Sequence, residues 1–272
     1  MTRYRLAGLC LALLLARILT TSAQVRYARG QDISPTFEGW EHNRDGTYTL
    51  HFGYFNRNSQ EEFDIPIGPD NNFDLGSGDQ GQPTHFYSGR RWWVFKVVVP
   101  KDWPRDKRAV WTLTTHGVTN QAKGWLQPEW EVDNGVISHN SGRDPFLMRA
   151  GGEDSDVSGD NLAPSLTGSP AQTIRLGEPL TLTATANDDG LPKPLPNPTG
   201  LRSQGVGIRW IVYRAAGPVR FDPDIMTSRV YGKPATSETK GSFSQPGTYR
   251  LRAIASDGQL FSTYDVDITV RP

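Results

Sequence analysis

Cysteine is almost absent from the chain: Cys10 is the only one in 272 residues. No disulfide framework can therefore hold the fold, and catalysis through a thiolate further along the chain is excluded. Leu9 stands before Cys10 where a lipid-anchor signal needs a small residue. No N-x-Ser/Thr sequon occurs. Long apolar runs are missing; the longest, Leu6–Ala16, is too short to cross the roughly 30 Å core of a bilayer as a helix. Excess positive charge is missing too, with 29 basic against 29 acidic residues, so no basic field is offered to nucleic acid or to an anionic membrane. GxGxxG, P-loop, HExxH and GxSxG patterns are all absent. Long amphipathic helical patterns are absent as well.

What is present begins with MTRYRLAGLCLALLLARILTTSAQ. Arg3 and Arg5 precede the apolar run, and Thr21-Ser22-Ala23 follows it with small residues, which predicts a cleaved secretory signal over residues 1–23. Removing Arg3, Arg5 and Arg17 with it leaves 26 basic residues against 29 acidic. Export without disulfides or sequons fits a bacterial periplasm, cell surface or extracellular space. The composition, rich in Gly (28), Pro (20) and Trp (8), points to strands joined by many turns.

Period-two alternation marks the strands. In TYTLHFGYF, Tyr48, Leu50, Phe52 and Tyr54 share one face. In RWWVFKVVV, Trp93, Phe95, Val97 and Val99 form the heavier face, and Pro100 ends the run. In AVWTLTT, Trp111 and Leu113 face inward. These runs predict an N-terminal β-sandwich domain within residues 24–150. Residues 151–160, GGEDSDVSGD, carry four acids and no base, and read as an acidic linker or solvated hinge. A second β-domain over residues 161–272 follows, with alternation at Thr181–Ala186, Gly207–Arg214, Thr248–Ala255 and Tyr264–Val270 and turn dipeptides at Asp189-Gly190, Pro246-Gly247 and Asp257-Gly258. The fold class expected is all-β, two sandwiches in tandem.

LGEPLTLTATANDDGLP (176–192), GIRWIVYRAAGPVRF (207–221) and FSQPGTYRLRAIASDGQLFSTYDVDITV (243–270) resemble the PKD-like (polycystic-kidney-disease-like) immunoglobulin-fold modules of secreted and surface proteins. The resemblance implies an Ig-like sandwich without a disulfide. Trp210 would fill the core from strand C, and Tyr249 would bond back to the corner backbone. Leu251 would stand where antibody domains carry a cysteine, packed on Leu180 or Leu182. In the first half, DGTYTLHFGYFNRNSQEEFDIPIGPDNNF, DQGQPTHF and VVVPKDWPRDKRAVWTLTTHG resemble a segment of uncharacterised exported bacterial proteins, which implies location and no activity.

Residues 68–82, GPDNNFDLGSGDQGQ, raise the question of calcium. Asp70, Asn72 and Asp74 match positions 1, 3 and 5 of an EF-hand loop, but Leu75 replaces the glycine of position 6 and Gly81 the closing acid of position 12. An Asx-rich turn explains the same residues. A loop of this length is nevertheless a candidate contact surface. Asp154, Asp156 and Ser158 with Gly159 match somewhat better, yet Ser165 takes position 12. A β-domain can also gather calcium ligands from several loops at a junction, as PKD-like modules sometimes do. Candidates are Asp154, Asp156 and Asn161 from the linker and Asp188, Asp189 and Asp257 from the turns; ordinary solvated charge is the rival explanation. For catalysis, Asp79, His85 and His116 could converge across loops, although lone loop or strand-edge histidines are the commoner case. Trp92 lies opposite Trp93 beside Val94 and Val98, so that either a second sheet covers this face or it is an aromatic strip for a sugar or partner.

The expectation is an exported, non-enzymatic binding or structural accessory protein of the envelope or extracellular space. Its ligand-binding residues would be Trp92, Asp70, Asn72, Asp74 and Asp79, its partner a protein or polysaccharide, and its candidate ion calcium. The alternative is a hydrolase with its site around Asp79, His85 and His116.

Overall fold

A computed structural model describes residues 27–141, 144–147, 160–193, 205–227 and 232–272. The expected signal peptide and the linker residues Asp154 and Asp156 lie outside the described residues. The first half carries β1 (Ile33–His42), β2 (Tyr48–Asn56), β3 (Phe63–Asp64), β4 (Asn71–Phe73), β5 (His85–Phe86), β6 (Gly89–Val99), β7 (Ala109–Thr115) and β8 (Val118–Gly124). A short 3-10 turn at Pro128–Trp130 and helix α1 (Asn134–Ser141) follow. The second half carries β9 (Ser165–Gly168), β10 (Gln172–Arg175), β11 (Leu180–Asn187), β12 (Gly207–Arg214), β13 (Val219–Asp222), β14 (Ile225–Thr227), β15 (Ala235–Phe243), β16 (Gly247–Ser256) and β17 (Phe261–Arg271).

In the first sandwich the sheet β1-β2-β6 faces the sheet β4-β7-β8, with β3-β5 as a small ribbon. The aromatic alternation read from β2, β6 and β7 meets between the sheets. Phe52 stacks on Phe95 at 5.4 Å between ring centroids and meets Phe73 edge-on at 5.2 Å. Trp111 stands edge-on to Phe95 at 4.9 Å and is fully buried. Strand β1 shows no clean alternation because Pro35 and Gly39 interrupt it. Gly39, at φ +127, sits at a register shift, where a side chain would run into Val132 and the Trp130 carbonyl. Helix α1 is too short to show an amphipathic pattern; the Asp133 carboxylate accepts the Val136 N–H at its N-terminus.

The second half is an Ig-like sandwich of a five-stranded sheet, β10-β17-β16-β12-β14, and a four-stranded sheet, β13-β15-β11-β9. β10 pairs with β17 in parallel; the other pairs are antiparallel. Trp210, Leu251, Leu180 and Leu182 share its core, so apolar packing occupies the disulfide position. Burying a leucine side chain contributes about 1.5–3 kcal/mol, comparable with a typical disulfide. Tyr249 is fully buried, and its hydroxyl donates to the Gln245 carbonyl at 2.7 Å, closing the corner.

One core assignment needs correction. Trp93 alternates in sequence with Phe95 but does not share its core. The β2–β6 register shifts between Phe52 and Tyr54, and Trp93 takes a left-handed φ of +56. That bulge turns its ring into a separate cluster with Val132, Ile137, Leu147 and Ile254. Gly53 lies opposite the bulge, where a side chain would strike the Arg91 carbonyl and the Glu38 carboxylate.

Candidate functional site

Strand alternation gives the five-stranded sheet two rows. The inner row of β12 is Ile208, Trp210 and Val212; the outer row is Arg209, Ile211 and Tyr213. On β16 the outer row is Arg250, Arg252 and Ile254. The apolar members of this outer row are withdrawn from solvent. Tyr213 is buried in the aromatic core of the first sandwich, and Ile254 in the cluster around Trp93. The two sandwiches therefore pack through the outer face of one sheet.

Polar contacts fix that packing. The Tyr213 hydroxyl donates to the Gly81 carbonyl at 2.5 Å, and Arg214 Nε donates to the Gln82 carbonyl at 3.0 Å. Thr84 N–H donates to the Tyr213 carbonyl at 3.1 Å, and Val212 N–H donates to the Tyr87 hydroxyl at 2.8 Å. Arg252 lies over the Tyr213 ring, 3.5 Å from its centroid, pairs with Asp265 at 2.6 and 2.8 Å, and donates to the Val94 carbonyl at 2.7 Å. Beside these contacts is a cleft of about 570 Å³, lined from the first sandwich by Glu41, His51, Trp93 and Lys96 and from the second by Phe261 and Asp265.

The loop 68–82 is structural along most of its length. Asn71 is fully buried; it donates to the Ile65 and Pro83 carbonyls and accepts the Trp111 indole N–H at 3.0 Å. Asp74 accepts the Val110 N–H at 2.8 Å, Asn72 donates to the Pro69 carbonyl, and the Asp70 carbonyl accepts the Thr114 N–H. Asp79 forms a bidentate pair with Arg214 at 2.7 and 2.8 Å, and that bond holds its carboxyl below the usual range. The loop is thus a contact surface inside the molecule, against the second sandwich.

The three residues of the hydrolase alternative are not joined to one another by any described hydrogen bond or ion pair. Strand alternation around β3 parts the histidines. Glu62 and Asp64 take His85, at 3.5 and 2.7 Å, whereas Glu61 and Phe63 meet His116, at 3.3 Å for the carboxylate. Asp79 is taken by Arg214. Burial opposes charge on His85, but its hydrogen bonds to Asp64 and Glu62 and their negative charges outweigh it and raise the imidazole to about 9. The stability this pairing adds is fully present below about pH 6.5 and is lost as pH rises through about 9. Urea unfolding between pH 6.5 and 9.5 is expected to show a loss on the order of 2 kcal/mol, and His85→Gln to flatten it; equal slopes for both proteins would refute the assignment.

Trp92 is half-buried under the Arg90 guanidinium, 4.4 Å from the ring centroid, and packs toward the junction. Its backbone N–H donates to Asp144. The strip is covered only in part: Trp92 packs on the cluster that holds Ile254, while Val98 is 63% exposed.

Of the calcium candidates, Asn161, Asp188, Asp189 and Asp257 are described. Asp189 is spent: its two oxygens accept the Leu191 and Leu162 N–H groups, both at 2.9 Å. The other three each leave one side-chain oxygen buried and without a hydrogen-bond partner. Asp257 Oδ1 accepts Gln259 N–H at 2.6 Å and Leu260 N–H at 2.7 Å; Oδ2 is the orphan. Burial, helped by the charge of Asp188, pushes the Asp257 carboxyl up to about 7. Among the described residues no cluster of three or more His, Cys, Asp or Glu could hold a metal, so the set amounts to two carboxylates and an amide oxygen.

Arg214, Arg252, Tyr213 and Tyr87 were missed by sequence reasoning. The signal that could have found them is the outer row of β12 and β16, where Ile211, Tyr213 and Ile254 are too apolar for a solvated face.

The chain is an all-β protein with an Ig-like sandwich. No protein-family model matches it, and no curated protein matches it. Among solved structures it is similar to the PKD domain of human KIAA0319, with 19% identity over 44% of this chain and 92% of that one and a TM-score of 0.22. It is also similar to domains 4 and 5 of the S-layer protein SbsC, with 10% identity over 89% and 98% and a TM-score of 0.28. The D00-D0 domain of intimin matches at 9% identity over 89% and 100%, with a TM-score of 0.27. The fold assignment rests on the sheets themselves. No described helix is long and apolar enough to cross a membrane.

Proposed function

We propose that the chain is exported and serves, without catalysis, as a binding or structural accessory protein of the cell envelope or extracellular space, engaging a polysaccharide or protein partner. One observation carries this reading: two sandwiches locked face to face leave a cleft between them whose walls come from both. A rigid cleft holds a ligand without the ordering cost that a mobile linker would add. In its support, Asp79, His85 and His116 each face a separate partner and not one another. The test is sedimentation with isolated envelope polysaccharide. Retention on the pellet with no release of reducing ends is expected; release of reducing ends, or no retention on polysaccharide or on envelope protein, would overturn the reading.

Calcium belongs to the same proposal. The orphan oxygens of Asn161, Asp188 and Asp257 are hard oxygen donors of the kind calcium takes. A cation there would satisfy them and offset the repulsion between the carboxylates. Millimolar calcium is expected to raise the melting temperature by several degrees, and EDTA to reverse it. Asp257→Asn should abolish the response, and at pH 8 without calcium it should leave stability equal or higher, because a buried charge has been removed. Melting curves indifferent to calcium and EDTA would sink the idea.

A further inference from the structure

The loop 100–108, PKDWPRDKR, concentrates the positive charge that the chain as a whole lacks. Lys101, Arg105, Lys107 and Arg108 lie in it, and Lys123 stands on β8 opposite Val110. All five are exposed. Arg57, Arg90, Arg209, Arg214, Arg250 and Arg252 are each held by a carboxylate. Among the described residues no ion pair takes any of the five, although Asp102 and Asp106 share the loop.

Two turns set the path of the loop. Trp103 N–H donates to the Pro100 carbonyl at 3.0 Å, and Lys107 N–H to the Pro104 carbonyl at 3.1 Å. The Trp103 indole then donates to the Lys107 carbonyl at 3.1 Å. This puts Lys107 Nζ over the Trp103 ring, 4.1 Å from its centroid. The β7–β8 register makes the next contact. Ala109 pairs with Gly124, so the flanking residues Arg108 and Trp125 meet, with the guanidinium 5.1 Å from the ring centroid. A cation held over an aromatic face still has N–H donors to spare.

The aromatic line runs on from there. Trp125 stacks on Phe37 at 6.3 Å between centroids, and Phe37 on Trp130 at 5.5 Å. Trp130 is 43% exposed, so ring surface lies open beyond Phe37.

Unpaired cations beside a line of aromatic rings suit a polymer that has apolar ring faces and spaced carboxylates. Aromatic faces take the faces of sugar rings. A guanidinium takes a carboxylate through two parallel bonds. A phosphate chain, with its denser charge, fits less well, because Asp102 and Asp106 lie among the cations and Glu129 and Glu131 flank Trp130. An acidic peptide has the charge without the ring faces.

We propose that this strip binds an acidic polysaccharide, with uronate carboxylates on Lys107, Arg108 and the cations beside them and a sugar face on Trp130. The surface is separate from the cleft; it rests on the binding role proposed above and names a partner class. The experiment measures binding of the full chain to immobilised polygalacturonate and polymannuronate, with dextran, polyglutamate and single-stranded DNA as comparators. At least one polyuronate is expected to bind more tightly than every comparator, and to weaken as NaCl rises from about 0.02 to about 0.5 M. Lys107→Gln combined with Arg108→Gln should weaken it roughly tenfold, the effect of two exposed charge pairs. Trp130→Ala should weaken it about threefold. Lys233→Gln combined with Lys240→Gln removes the same charge from the second sandwich and should change binding by less than about twofold. Equal weakening by the two double variants, or none by the first, overturns the site. Tighter binding to dextran, polyglutamate or DNA overturns the ligand class. Failure to bind either polyuronate, in protein still retained on envelope polysaccharide or protein, overturns this proposal and leaves the binding role standing. Loss of retention as well overturns both.

Discussion

Trp111→Ala is expected to remove about 3–5 kcal/mol of stability, the range for truncating a fully buried tryptophan. The indole is 0% exposed and touches the rings of Phe52, Phe73, Phe86 and Phe95, which come from both sheets and the ribbon. No single neighbour can move in to fill the void, since each is wedged against another aromatic. The cost has a polar part as well. Asn71 Oδ1 accepts the indole N–H, while its amide pins the Ile65 and Pro83 carbonyls at the two ends of the long loop. Trp111→Phe separates the two contributions: it keeps much of the ring volume and orphans Asn71 Oδ1, for about 1–3 kcal/mol. Urea denaturation measures both. A loss below about 1 kcal/mol for the alanine variant would mean that the sheets do not meet around this residue.

Arg252→Ala is the second large effect, on the order of 3 kcal/mol, because it removes one partner of a largely buried ion pair. It also strips the cation from the Tyr213 ring and the donor from the Val94 carbonyl, so it acts on the joint between sandwiches more than on either one. Calorimetry should show the wild type melting as one unit and the variant as two separable transitions. Arg252→Lys should not rescue it, since an ammonium cannot hold Asp265 with two parallel bonds while stacking on Tyr213. A variant with an unchanged single transition would show that the joint does not depend on this arginine.

These two residues also mark where the sequence was legible and where it was not. Trp111 could be placed from alternation alone, because in β7 Trp111 and Leu113 alternate with Thr112 and Thr114. Trp210, Tyr249 and Leu251 are placed by the resemblance to PKD-like modules and not by alternation alone. Arg252 could not be placed. Alternation assigns it to a face and says nothing of what covers that face; only the apolar residues between the arginines, Ile211, Tyr213 and Ile254, hint at a cover. Trp93 misled for a different reason. A bulge inserts a residue without changing composition, so the period continues on paper while the side chain changes sides. In the acidic segments the sequence offers Asp154, Asp156, Asn161, Asp188, Asp189 and Asp257 as one candidate set. It could not show that Asp189 would spend both oxygens on backbone amides.

Part of the joint is chemically lopsided. Three side chains of the second sandwich, Tyr213, Arg214 and Arg252, donate to main-chain carbonyls of the first, of Gly81, Gln82 and Val94; of the three, Arg214 also reaches a side chain there, Asp79. A carbonyl survives any substitution of its own side chain, whereas a guanidinium or phenol does not. Sequence change at positions 82 and 94 would therefore leave the handshake intact so long as the backbone path holds, position 81 being kept to glycine by its φ of +92, while a single change at 213, 214 or 252 would undo part of it. For these carbonyl contacts the freedom to vary lies on the first sandwich and the obligation to stay the same on the second, whereas Asp79 and Tyr87 tie the first sandwich through their own side chains.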